Sequence, residues 1–137
     1  MARLFLRIDL SPACRVGPGK IALLEQIERT GSISAAGRAL GMSYRRAWLL
    51  VDELNRLFET PLVATQLGGA HGGGARLTDL GGDLVQRFRS LEQAATALVE
   101  THLGTLADRV TRADAAGEQM ERSSDASATD GQGTTGP

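Results

Sequence analysis

Five of the first seven residues of the stretch GGAHGGGARLT, Gly68–Thr78, are glycine. Runs of this kind cradle phosphates, link domains or form hairpin tips. The phosphate-loop pattern GxxxxGK[ST] fails here, because counting from Gly68 puts Gly73 sixth and Gly74 where the lysine must stand. The dinucleotide pattern GxGxxG needs a helix opening directly on the loop, and ARLT reads as a strand that intervenes. A linker would lie between domain ends, whereas these glycines lie between two short β-compatible segments, LVAT (62–65) and ARLT (75–78). A hairpin tip fits best: its glycines permit positive φ and close backbone approach to another molecule.

Other reactive side chains assemble no catalytic set. Asp52 and Glu53 are neighbours, and adjacent helical residues diverge by about 100°, so they cannot share one substrate atom. The plainer reading is a solvated face with Arg56 as ion-pair partner. His71 and His102 have no Cys, Asp or Glu at metal-ligand spacing. Cys14, the single cysteine, sits in the Pro/Gly-rich run SPACRVGPG, read as a connector, with no base beside it. Neither an enzyme, nor a metal site, nor a cofactor site is expected.

The elements that must position the remaining residues follow from periodicity. RLFLRIDL alternates, with Leu4, Leu6, Ile8 and Leu10 on one face, as a strand does. From Lys20 a helical stripe through Ile21, Leu24 and Ile27 ends at RTG, where Gly31 suits a left-handed cap. Ser32 or Ser34 can cap a short helix, SISAAGRAL, which Gly41 stops. Ser43 can cap a third, whose inner face is Ala47, Leu50, Val51, Leu54, Leu57 and Phe58 and which Pro61 ends. Thr78 can cap a long helix to about Leu103, with Asp79 complementing its dipole. The stripe Leu84, Phe88, Leu91, Ala95, Leu98, continued to His102, has coiled-coil spacing. About 25 residues span nearly 40 Å, more than so small a domain covers, so part of that stripe calls for a partner. The order is strand, helix, helix, tight turn, helix, strand, glycine loop, strand, long helix.

Two helices joined by a turn of about four residues with a glycine form a helix-turn-helix layout, with Ala36 and Gly37 small where the helices must approach. The strand–loop–strand that follows adds a wing. The predicted class is mainly α with a small β wing: a winged helix-turn-helix followed by a long C-terminal dimerisation helix. The segments GSIS, LGMSYRRAW, DELN, PLV and GGAHGGGARLT resemble, in that order, the N-terminal domain of the molybdate-responsive ModE regulators, which are related to LysR-type helix-turn-helix domains. The resemblance spans about residues 3–103, and the glycine-rich wing separates it from a plain LysR-like domain.

That resemblance implies a regulator that docks the third helix in the major groove of double-stranded DNA. Stepping 100° per residue from Ala47, Arg45, Leu49, Asp52 and Arg56 face outward, Arg46 and Glu53 lie on one flank, and Tyr44 and Trp48 on the other. Arg45 and Arg46 can fork onto guanine O6/N7 or grip a phosphate. Ser43 and Tyr44 can hydrogen-bond near the helix start. Leu49 fits a thymine methyl and fits equally a solitary surface leucine. Trp48 reads as packing against the long helix. Ser32 and Ser34 on the first helix, and Gly69, His71, Gly72, Gly73 and Arg76 on the wing, are further contact candidates. The seam residues Leu84 to His102 would join a homodimer across an inverted repeat.

Charge sharpens this. Residues 1–107 carry 12 basic and 10 acidic side chains, and residues 108–137 carry 3 and 6. The body is not strongly basic, so DNA contacts must be local. All but one of the basic residues are arginine, Lys20 being the exception, and arginine is the better fork for phosphate and guanine. Residues 108–137 hold no Leu, Ile, Phe, Trp or Tyr and are expected to be a disordered acidic tail. No apolar run suggests a membrane span, and the lone cysteine suits the cytoplasm. In the ModE family the oxyanion-binding domains lie C-terminal to the winged helix, and nothing in 1–137 resembles them. The expected partners are thus DNA and a second copy, with a full-length relative or a separate molybdate-binding protein as further candidates. The rival reading is a protein-interaction module that forms heterodimers with a full-length regulator.

Overall fold

The computed structural model describes residues 2–66 and 74–111. Two units are distinguished, one of Arg3–Leu98 and one holding residues 1–2 with Val99–Pro137. The elements are β1 Ile8–Ser11, β2 Cys14–Val16, α1 Pro18–Thr30, α2 Ile33–Ala39, α3 Tyr44–Leu57, β3 Val63–Gln66, β4 Gly74–Leu77 and α4 Asp79–Ala107. A winged helix-turn-helix with a long final helix is therefore the architecture.

The core of the first unit is built mainly from the helical stripes. Ile21, Leu23, Leu24 and Ile27 of α1, Leu54 of α3 and Leu62 are sealed from solvent. Each such side chain contributes roughly 1.5–3 kcal/mol by leaving water. Leu80, Leu84 and Val85 of α4 pack against this core, and Phe88 lies within it. Arg89 ties the same helix to α1 by donating hydrogen bonds to both carboxylate oxygens of Glu25, while Nη1 reaches Glu92 at 2.7 Å. Those bonds, Glu25 first, raise its guanidinium pKa still further above the ordinary arginine range.

The caps are where glycine and serine placed them. Gly31, at φ 70°, donates its N–H to the Ile27 carbonyl and ends α1. Gly41, at φ 69°, ends α2 in a Schellman motif: Met42 N–H reaches the Gly37 carbonyl at 2.8 Å, and Gly41 N–H reaches that of Arg38 at 3.1 Å. Ser32 and Ser43 cap α2 and α3 by accepting from the N–H groups of Ala35 and Arg46. Thr78 Oγ1 accepts from Gly81 N–H at 3.1 Å at the start of α4. At Gly37 an added Cβ would lie 2.9 Å from the Cβ of Ala47, so the small residue sets how closely α2 and α3 approach.

Four expectations are corrected. The run SPACRVGPG is no simple connector: Cys14–Val16 form β2, antiparallel to β1, with Ile8 opposite Val16. Buried Cys14 and Val16 face the core in a period of two that the flanking prolines and glycines had masked. The strand on the N-terminal side starts at Ile8 instead of Arg3. The third helix ends at Leu57, with Phe58 already extended at φ −110°, ψ 157°, before Pro61 is reached. The long helix, conversely, runs on to Ala107, beyond Leu103.

Candidate nucleic-acid interface

The second helix of the helix-turn-helix, α3, divides cleanly by burial. Ala47, Val51 and Leu54 are in the core, while Arg45, Leu49, Asp52 and Arg56 are exposed, the division that a 100° step requires. Tyr44 and Ser43 are exposed and Arg46 is half-buried. The first turn of α3 carries no acid, so its backbone N–H groups and the two arginines form a positive end. Ser43 Oγ accepts from Arg46 N–H at 3.1 Å, which leaves its hydroxyl proton for an outside acceptor. Ser32 of the first helix is engaged in the same way by Ala35, and Ser34 is half-buried.

The acidic half of α3 is neutralised. Asp52 pairs with Arg56 Nη2 at 2.9 Å, as its spacing predicted. Glu53 lies 3.6 Å from Lys20 Nζ, which also donates to the Arg15 carbonyl at 2.7 Å. The carboxylates are thus a solvated face with partners, and positive charge collects at one end of the helix.

Trp48, expected as a packing residue, is not part of the core cluster. It is 40% exposed and stands edge-on to Tyr44, ring centroids 6.2 Å apart at 60°. The core surface of α4 is already occupied by Leu80, Leu84, Val85 and Phe88, and position 48 falls on the solvent flank of α3.

The glycine stretch is flanked by paired strands, as a hairpin requires. Val63 pairs with Leu77, Ala64 with Arg76, Thr65 with Ala75 and Gln66 with Gly74. Arg76 is exposed on β4. The candidates Gly69, His71, Gly72 and Gly73 lie outside the described residues. The wing is fixed at its base by α1: Ala75 N–H donates to the Gly31 carbonyl at 2.9 Å, and Leu77 N–H donates to Glu28 Oε2 at 3.1 Å.

Sequence reasoning missed Asn55. Its Oδ1 accepts from the N–H groups of Leu62 at 2.9 Å and Val63 at 3.1 Å, and its Nδ2 donates to the Val63 carbonyl at 3.1 Å. One amide side chain therefore sets the distance between α3 and the first wing strand. An asparagine beside the buried Leu54, in a helix interior where asparagine is a poor helix former, was the available signal.

The stripe on α4 is not one continuous seam. Phe88 is 3% exposed and Leu84 packs on the same core, so Phe88 is committed to its own chain and has no face left for a partner. Leu91 and Leu98 are exposed and Ala95 is half-buried between them. In the second unit His102, Leu103, Leu106 and Val110 are exposed.

A helix-turn-helix whose second helix shows solvent a basic, acid-free first turn, followed at once by a braced two-stranded wing, defines the winged helix-turn-helix class of protein. Residues 19–82 match the model of the bacterial regulatory helix-turn-helix proteins of the lysR family. The chain is 47% identical over 91 residues to the molybdenum-pterin-binding protein MopA of Rhodobacter capsulatus, a match covering 66% of this chain and 34% of the relative. It is 42% identical over 92 residues to the molybdenum transport protein ModE of Azotobacter vinelandii, covering 67% and 33%. It is 39% identical over 92 residues to the DNA-binding transcriptional dual regulator ModE of Escherichia coli K12, covering 67% and 35%. The chain spans about a third of the length of the curated relatives it matches.

Proposed function

We propose that this protein is a sequence-specific DNA-binding transcriptional regulator of the ModE type. The observation that carries the reading is the exposed, acid-free first turn of α3 beside a wing fixed to the same core. Residues 43–49 enter the major groove, with Arg45 and Arg46 on guanine edges or phosphates, Ser43 and Tyr44 at the helix start, and Leu49 against a base edge. Ser32 and Ser34 at the start of α2, and Gly69, His71, Gly72, Gly73 and Arg76 of the wing, hold the backbone.

Likeness to ModE and Mop proteins directs the proposal to genes of molybdenum transport and use. Mapping binding sites across the genome tests this. Sites are expected to cluster upstream of molybdate-transport and molybdenum-enzyme genes, and clustering elsewhere would restrict the likeness to the fold.

The regulator works as a homodimer on an inverted repeat. Leu91 and Leu98 are 44% and 58% exposed and stand one heptad apart with Ala95 between them, the spacing of a two-helix seam, which His102 continues. The double substitution Leu91→Glu with Leu98→Glu touches nothing buried and places like charges on the seam. It is expected to sediment as a monomer with unchanged helical circular dichroism, and a persistent dimer would move the interface elsewhere. Domain limits of 1–107 for the binding body and 108–137 for an acidic tail complete the proposal. Residues 112–137 lie outside the described residues.

A further inference from the structure

The chain contains one tryptophan and one tyrosine, and both stand on the solvent side of α3, one turn apart. Tyr44 is 64% exposed and Trp48 40%, with Leu49 beside them at 55%. Large aromatics gain more than any other side chain by leaving water. A solitary surface leucine needs no explanation, whereas three large apolar side chains within six residues of one helix do.

The surrounding charges indicate what covers the patch. Tyr44–Trp48 and Arg45–Leu49 are adjacent rows at i, i+4 spacing, so an occupant that covers the apolar groups also covers Arg45. The first acid along the helix is Asp52, already paired with Arg56, and offers Arg45 no counter-charge within the patch. An apolar protein face would bury that arginine uncompensated, at a cost. A DNA duplex supplies both requirements at once: phosphates or guanine acceptors for the cation, and the thymine C5-methyl group for the apolar side chains.

We infer that the Tyr44–Trp48 pair reads thymine methyl groups in the major groove. Trp48 makes the contact, and the edge-on Tyr44 ring holds the indole in place. The inference rests on the DNA-binding reading above and names the base feature that the helix recognises. It makes Trp48 a specificity residue for which Arg45 and Arg46 do not substitute.

The full chain and a pool of randomised duplexes test it. Duplexes retained by the wild-type protein are resynthesised with deoxyuridine at each thymine in turn, which removes the methyl group alone. At one or more positions, loss of the methyl is expected to weaken wild-type binding about fourfold, the factor for burying one methyl-sized group. Trp48→Ala should bind the thymine and deoxyuridine duplexes equally. Trp48→Phe, which keeps a ring against Tyr44, should retain the discrimination, and this separates removal of the reading group from a misfolded helix. Emission from the lone tryptophan should change on adding the thymine duplex and change less with its deoxyuridine counterpart.

Wild-type protein indifferent to every methyl, or Trp48→Ala that still discriminates, overturns the inference and leaves the DNA-binding reading standing, since a selected duplex is still bound. If Trp48→Ala alters self-association and leaves DNA affinity intact, the patch is a protein surface and the inference fails. A pool from which no duplex is enriched overturns the DNA-binding reading and the inference together.

Discussion

Gly81→Ala is expected to destabilise the protein by about 2 kcal/mol, while the same change at the next residue, Gly82→Ala, stabilises it by about 0.5 kcal/mol. An added Cβ at Gly81 would lie 2.2 Å from the Leu62 carbonyl oxygen and 3.1 Å from its carbonyl carbon. Both are backbone atoms with little freedom to retreat. Leu62 is sealed from solvent, its N–H is held by Asn55 Oδ1 at 2.9 Å, and its carbonyl accepts from the Thr78 N–H at 2.9 Å and hydroxyl at 3.2 Å. Overpacking of this kind costs about 1–3 kcal/mol or more, against which alanine recovers at most about 1 kcal/mol of helix propensity. The clash wins. At Gly82 nothing lies within 4 Å of the added atom, so the propensity gain stands alone, reduced by the position near the helix start. Thermal unfolding followed by circular dichroism reads both changes. A loss of about 10 °C is expected at Gly81 for a domain of this size, against a gain of a few degrees at Gly82. Shifts of the same sign at the two glycines would disprove the close approach. Leu62, Asn55 and Thr78 form one knot joining α3, the wing and α4, so Gly81→Ala should also disturb the spacing between α3 and the wing.

The helix-turn-helix was legible in the sequence because its signals are local. Serine caps, left-handed glycines and a 3.6-residue stripe act within a few residues, and Ser32, Ser43, Gly31 and Gly41 occupy the roles their types suggested. The wing strands lie within one residue of the expected segments. What escaped depends on contacts between one element and another. Cys14 and Val16 form a strand because β1 and the core await them, against the local message of two prolines and two glycines. The roles of Asn55 and Gly81 arise only when residues 62–63 return to meet α3 and α4. Trp48 is less buried than its type suggests. An aromatic residue is ordinarily placed by the area it buries, yet 40% of this one is exposed, while α4 meets the core through Leu80, Leu84, Val85 and Phe88. The heptad pattern on α4 misled in the opposite sense, since an apolar side chain at Phe88 looks the same whether its partner is its own core or another chain.

The largest functional effect is expected from Arg45→Ala combined with Arg46→Ala, which should weaken binding to a selected duplex by at least about 100-fold. Each arginine contact to a base edge or phosphate is worth about 1–3 kcal/mol, and a factor of 100 corresponds to about 2.7 kcal/mol for the pair. Two outcomes separate the chemistry. If the arginines grip phosphates, affinity falls equally on selected and random DNA, and the salt dependence of log K becomes shallower by about 0.9 for each phosphate no longer neutralised. If they fork onto guanines, the loss is confined to the selected sequence and the salt slope hardly moves. Their location favours a split between the two roles. Arg45 is fully on the outward face, in line with Leu49, whereas Arg46 is half-buried on the flank, where the phosphate backbone passes a helix seated in the groove. Arg45→Ala alone should therefore relax sequence preference, and Arg46→Ala alone should lower affinity uniformly. Arg56→Ala serves as the comparison at the far end of the same helix. It frees Asp52 from its 2.9 Å pair and should weaken binding only through the repulsion of one exposed carboxylate, several-fold at most and less in higher salt. Retained specific binding by the folded double variant would remove α3 from the interface and leave the exposed, acid-free first turn without a role in DNA recognition.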